Sequence, residues 1–197
     1  TLASFLESEG YKQQADEPCA FINDKGFTVL TYVDDSICRG SQAETDRFYT
    51  LLNKRFDCKD PAYLSDSSPI KYVGFDVCMK YVKCEPYIYI TQQHDLLNYL
   101  NDIGVGDVKM LSNPMPNKYA VLSDPTPLSE EESHKYRSIV GALNFYSGAT
   151  RYDISYPVSR LSPTVGSMQA LYKVLAYMKC TSDFSIHARY GRGVNAV

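Results

Sequence analysis

Long apolar runs are missing from this chain. No stretch approaches the ~20 consecutive apolar residues of a membrane-spanning helix, and no signal-peptide pattern opens it. No membrane partner is therefore expected. An excess of one charge is missing too. Twenty Lys and Arg stand against 23 Asp and Glu, a net charge of −3. There is no global basic field, so any contact with nucleic acid must rest on local patches. Metal-type cysteine spacing is absent as well. Cys19, Cys38, Cys58, Cys78, Cys84 and Cys180 form no Cys-x-x-Cys pair, and His94, His134 and His187 stand isolated, which argues against zinc. Most of these cysteines fall in apolar contexts, where Cys packs as a small hydrophobe. A reducing, cytoplasmic compartment fits better than a secreted one. Internal repeats and low-complexity tracts are also lacking. What remains is an ordinary globular composition, 44% hydrophobic and 22% charged over 197 residues. That length suits one domain, or two small ones sharing an interface.

The most informative stretch is Leu30-Thr31-Tyr32-Val33-Asp34-Asp35-Ser36-Ile37-Cys38. A β-prone run ends on two adjacent carboxylates, and a short apolar run returns. Asp34 and Asp35 are thus expected at a hairpin tip, where two like charges stay ionised only if solvated or bound to cations. Hard divalent ions such as Mg²⁺ take carboxylate oxygens and keep positions open for phosphates. A paired-metal site of that kind drives in-line phosphoryl displacement. A plain surface turn is the alternative, because Asp is a good turn residue.

Around this hairpin the chain alternates strand and helix patterns. Leu2, Phe5 and Leu6 share a helical face, with Gly10 as C-cap. Cys19 to Ile22 and Phe27 to Val33 are strand-like, joined by the turn Asn23-Asp24-Lys25-Gly26. Ser41 with Glu44 has capping-box spacing ahead of a helix through Phe48, Leu51, Leu52 and Phe56. Ile70 to Lys80 and Cys84 to Thr91 suggest a second hairpin turning near Lys83. After Thr91 the period becomes helical, at Leu96 to Ile103, then from Ser129 onward, then at Ile154 to Leu161 and Met168 to Met178. Asn113 to Pro127 has linker composition. Phe184 to Tyr190 is a final strand, expected to pair with something beyond this chain. The opening on Thr1 inside a helix, and the stop at Val197, lead us to expect a fragment of a longer polypeptide.

Eight short motifs, collinear along the chain, resemble the reverse transcriptase of copia-type LTR retrotransposons. Tyr32-Val33-Asp34-Asp35 looks like the polymerase Tyr-Val-Asp-Asp box. Arg55-Phe56 with Lys59-Asp60, Tyr72-Val73-Gly74, Ile88-Tyr89-Ile90-Thr91-Gln92 and Asn113-Pro114-Met115 follow in the family's order. Tyr136-Arg137-Ser138-Ile139-Val140-Gly141 is the closest later match. Thr150-Arg151-Tyr152-Asp153-Ile154 and Tyr177-Met178-Lys179-Cys180-Thr181 complete the set. Two departures stand out: Tyr152 replaces a helix-starting Pro, and Cys180 replaces a Gly.

The resemblance implies an α+β fold. Residues 1–91 would be the C-terminal part of a polymerase palm, an antiparallel sheet with flanking helices. Residues 92–181 would be a helical thumb, and 182–197 the start of a connection toward RNase H. It implies RNA-directed DNA polymerase activity in the intact parent, with Mg²⁺ or Mn²⁺ held by Asp34 and Asp35. RNA template, DNA primer and dNTP would be the substrates. The remaining Pol polyprotein, with integrase, fingers, palm and RNase H, would be the context, in the cytoplasm, a virus-like particle or the nucleus. Tyr32 and Val33 would border the primer end, and Tyr72, Val73 and Gly74 would form a primer grip. Gly74 could equally be a β-bulge glycine. Lys135 and Arg137, in the first turn of their helix, could meet phosphates, with Gly141 allowing close approach. A solvated helix face with a helix-crossing glycine is the alternative there. Arg151 and Asp153 are expected to be a structural surface pair. The first catalytic aspartate and the fingers would lie before Thr1, so the chain alone is expected to be inactive. The competing reading is a non-catalytic remnant of a decayed element that binds nucleic acid weakly. A third, an unrelated phosphotransferase, would need another carboxylate, for which Asp76 is the candidate.

Overall fold

The computed structural model describes every residue except 66–67, 107–108, 110, 116–126, 164–165 and 190–197. Most of the expected linker, Asn113 to Pro127, lies outside the described residues. The fold is mixed α+β, with two compact units. One is Thr1–Leu64 with Ile70–Val73. The other is Ser65–Pro69 with Gly74–Val197. Strands β6 and β7, grouped by sequence with the first part, lie in the second unit.

In the first unit, α1 (Leu2–Ser8) starts at Thr1, whose hydroxyl accepts the Ser4 N–H at 3.3 Å. It buries Phe5 and Leu6, and Gly10 supplies the left-handed residue that ends it, at φ +88°. An antiparallel sheet follows in the order β1 (Lys12–Gln13), β2 (Ala20–Ile22), β3 (Thr28–Tyr32) and β4 (Asp35–Arg39). Side chains alternate across it. Phe21, Val29 and Cys38 are register partners on the core face. They pack with Phe5, Leu6, Tyr11, Phe27 and Phe48. Burial there pushes the Cys38 thiol up to about 11. Gly40 is forced by this packing, since a Cβ would sit 2.3 Å from the Phe27 ring. Ala20, Leu30 and Ile37, with Tyr32 and Asp35 beyond them, line the opposite face.

Helix α2 (Gln42–Asn53) brings Phe48 to that core. Its expected capping box is half formed. Ser41 accepts the Glu44 N–H at 3.3 Å, but the Glu44 carboxylate turns to Lys25 (2.7 Å) and Asn23 (3.2 Å). The turn before β3 thereby claims the side chain. Strand β5 (Ile70–Tyr72) completes the unit. The run Ile70 to Lys80 is not one strand. It breaks at Val73-Gly74, where φ is +50° and +80°.

The second unit pairs β6 (Phe75–Val82), β7 (Glu85–Thr91) and β8 (Ile186–Arg189) as antiparallel neighbours. Lys83 and Cys84, at φ +51° and +64°, make the tight loop between β6 and β7. Strand β8, expected to pair with something beyond this chain, pairs with β7 instead. Its Ile186 and Ala188 register with Ile90 and Ile88. Helices α3 (Gln93–Asp102), α4 (Glu130–Ala149), α5 (Ser155–Leu161) and α6 (Met168–Cys180) bury Leu100, Leu143, Val158, Leu171, Leu175 and Met178 in one core. A complete capping box, Ser129 with Glu132, opens α4. A 3-10 turn, Tyr152–Ile154, links α4 to α5. No helix among the described residues is long and apolar enough to cross a membrane.

Candidate functional site

Pairing of β3 with β4 runs out to Tyr32 opposite Asp35, leaving Val33-Asp34 as a two-residue loop. The tip is therefore one residue earlier than the sequence suggests, and Asp35 opens β4. Short primed loops match the twist of the flanking strands, so pairing persists to the last possible residue. Val33 has φ +52° and Asp34 does not have positive φ, the pattern of a type II′ turn. Glycine normally fills that first position. A β-branched residue there is an outlier costing about 1–3 kcal/mol. The Val33 side chain is 80% exposed and offsets none of this by burial.

Both carboxylates are exposed, and neither makes a hydrogen bond or ion pair among the described residues. They are hard oxygen donors with open surroundings, which fits Mg²⁺ or Mn²⁺ with water filling the remaining positions. No group of three His, Cys, Asp or Glu that could hold a metal forms among the described residues, so Asp76 does not complete a site. Asp34 and Asp35 therefore do not by themselves make such a group among the described residues.

Tyr72 stands close to this hairpin. Its half-buried hydroxyl donates to the Leu30 carbonyl at 3.5 Å. Burial raises its pKa first, the Asp35 charge second, and Cys19 and Cys38 after that. Val73 and Gly74 form the turn into β6, not a β-bulge. A Cβ on Gly74 would meet nothing within 4 Å, so the protein itself does not need the close approach a glycine permits.

The candidate residues of α4 separate. The helix begins at Glu130, so Lys135 and Arg137 lie beyond its first turn. They are about 200° apart around the axis. Lys135 lines a groove with Glu130, Glu131, His134 and Ser138. Arg137 instead shares an exposed stripe with Gly141, Phe145 and Gly148. Phe145 is 58% exposed, and a Cβ on Gly141 or Gly148 would meet nothing within 4 Å. Gly141 is therefore not a helix-crossing glycine. Phe145 and Gly148 had escaped sequence reasoning. Their signal was a glycine and an aromatic recurring at i+4 and i+7 on a face where helix formers belong.

In the Arg151–Asp153 pair the guanidinium is buried, while the carboxylate stays partly exposed. Arg151 is 2% exposed and makes a bidentate bond, Nε to Oδ1 at 3.0 Å and Nη2 to Oδ2 at 2.8 Å. It also donates to Thr181 at 2.6 Å and lies over the Tyr177 and Phe184 rings. Burial opposes ionisation of Asp153, but its bonds to Arg151 outweigh that and hold its pKa below the ordinary value.

No protein-family model matches the chain, and no solved structure matches it significantly. Curated relatives do. Over 96% of its length it is 29% identical to the retrovirus-related Pol polyprotein from transposon RE1 of Arabidopsis thaliana, of which it spans 13%. It is 32% identical over 78% of its length to an uncharacterized mitochondrial protein of the same plant, AtMg00810, of which it spans 61%. A putative transposon Ty5-1 protein, YCL074W of Saccharomyces cerevisiae, is 25% identical over 86% of the chain and is spanned over 54% of its own length. The match to the RE1 polyprotein covers 96% of the chain and so takes in both the aspartate hairpin and the helical unit, which makes the chain a homologue of one segment of retrotransposon Pol polyproteins.

Proposed function

We propose that the chain carries the aspartate hairpin and a nucleic-acid-binding helix of an RNA-directed DNA polymerase. One observation carries this reading. Two adjacent, exposed carboxylates, without a hydrogen-bond or ion-pair partner among the described residues, sit on a strained turn in a homologue of transposon Pol polyproteins. Strain at an exposed turn, with no compensating contact, points to a role outside folding.

Asp34 and Asp35 supply carboxylate oxygens. Divalent cations held there would lower the pKa of a primer 3′ hydroxyl and neutralise triphosphate charge. Tyr32, 54% exposed on the same sheet face as Asp35, borders the place where a primer end would lie. Val33 projects from the tip beside it. In the second unit, the α4 stripe offers Arg137 for phosphate, two bare glycines for close backbone approach, and Phe145 for stacking. Lys135 is left out of this contact by its place on the other side of α4.

The test is primer extension on an RNA template with Mg²⁺ or Mn²⁺. The 197 residues alone should show none, because the ligand cage is partial. The same residues joined to a preceding segment of a related Pol polyprotein should extend the primer, and Asp34→Asn should abolish this. Activity indifferent to Asp34→Asn would place the metal chemistry elsewhere.

A further inference from the structure

We propose that Tyr72 is a positioning residue for the aspartate hairpin, its hydroxyl on the Leu30 carbonyl holding the ring beside Asp35. This rests on the reading of Asp34 and Asp35 as cation ligands.

The hairpin needs an anchor. Val33 holds φ +52° with its side chain 80% exposed, so nothing at the tip itself offsets the strain. Strained turns persist when their surroundings over-determine them. Tyr72 comes from β5, which contacts β4, and its hydroxyl reaches Leu30 of β3. It lands on Leu30, two residues before Tyr32 and in register with Ile37. A carbonyl has two lone pairs, so Leu30 can accept the phenol as well as a strand bond. The bond ties segments 42 residues apart.

The same placement sets the surroundings of Asp35. That carboxylate makes no hydrogen bond among the described residues. The half-buried Tyr72 is held at Leu30, two register pairs from the Tyr32–Asp35 pair that closes the hairpin. A ring fixed there limits the orientations open to the carboxylate. Fewer orientations mean less entropy to lose when a cation is bound. The hydroxyl acts through ring placement and touches no reacting atom.

The probe is Mn²⁺ alone, titrated into the full chain and followed by loss of the free-ion EPR signal. Wild type should bind, and Asp34→Asn should lose most of that binding. Tyr72→Phe keeps the ring and removes the anchor. It should weaken Mn²⁺ binding roughly three- to tenfold, the worth of one hydrogen bond. Tyr72→Ala should weaken it at least as much. A purely structural Tyr72 would lower the melting temperature in both variants and leave Mn²⁺ affinity at the wild-type value, which would overturn the proposal. A wild type that binds no Mn²⁺, or binds it equally after Asp34→Asn, would refute the aspartate reading itself and the proposal with it.

Discussion

Replacing Gly141 and Gly148 by alanine separates stability from function on α4. Gly141 lies in the interior of a 20-residue helix and Gly148 in its last turn, and a Cβ at either would meet nothing within 4 Å. Glycine in a helix interior costs about 0.8–1.0 kcal/mol relative to alanine. The two positions are roughly 10 Å apart along the axis, far enough for their effects to add. The double variant should therefore be more stable by about 1–1.5 kcal/mol, most of it from Gly141. The assay is urea denaturation followed by far-UV circular dichroism, with the midpoint rising and the slope unchanged. The same double variant should bind a short RNA–DNA duplex more weakly in fluorescence anisotropy, because two methyl groups now stand where a strand would approach. Loss of stability would mean that protein already covers this face. Gain of stability with unchanged duplex affinity would leave the bare stripe without the nucleic-acid role argued for it.

Three further outcomes follow from the same geometry. Val33→Gly should stabilise the first unit by up to about 2 kcal/mol, the released strain less the entropy that glycine adds to the unfolded chain. Thermal unfolding would show this, and a lower midpoint would contradict the left-handed turn. Arg151→Met should destabilise the second unit by about 2–3 kcal/mol, because it removes the charge-assisted bonds of a buried guanidinium to Asp153 and Thr181; an unchanged calorimetric midpoint would contradict this. The Asp153 pKa is depressed in the folded state, so its contribution is fully present above its ordinary value of 3.8. That contribution is lost as pH falls through the depressed value. Asp153→Asn should flatten this part of the acid limb in pH-dependent denaturation.

Much of the fold was legible because periodicity and capping residues are local signals. Thr28–Tyr32, the Ser41 and Ser129 helix starts and the helical period after Gln93 all emerged from spacing alone. What escaped depended on partners far along the chain. Glu44 left its capping box for Lys25, 19 residues away. Arg151 is buried because α6 brings Thr181 and Tyr177 to it. The turns at Val33 and Val73 were displaced or missed because valine advertises strand, not positive φ. The edge strand Lys12–Gln13 is two residues long and carries no pattern. At the candidate site, the place of the aspartates on a hairpin was legible from the strand pattern, but the separation of Lys135 from Arg137 required the true start of α4 at Glu130.

The most direct test of the central claim is a paramagnetic one. Mn²⁺ added in small amounts to the isotopically labelled chain broadens amide signals near its binding site. The account predicts broadening first at Tyr32 to Ser36, abolished by Asp34→Asn with Asp35→Asn while other signals persist. Broadening confined to the acidic start of α4, at Glu130 to Glu132, with the hairpin untouched, would contradict it.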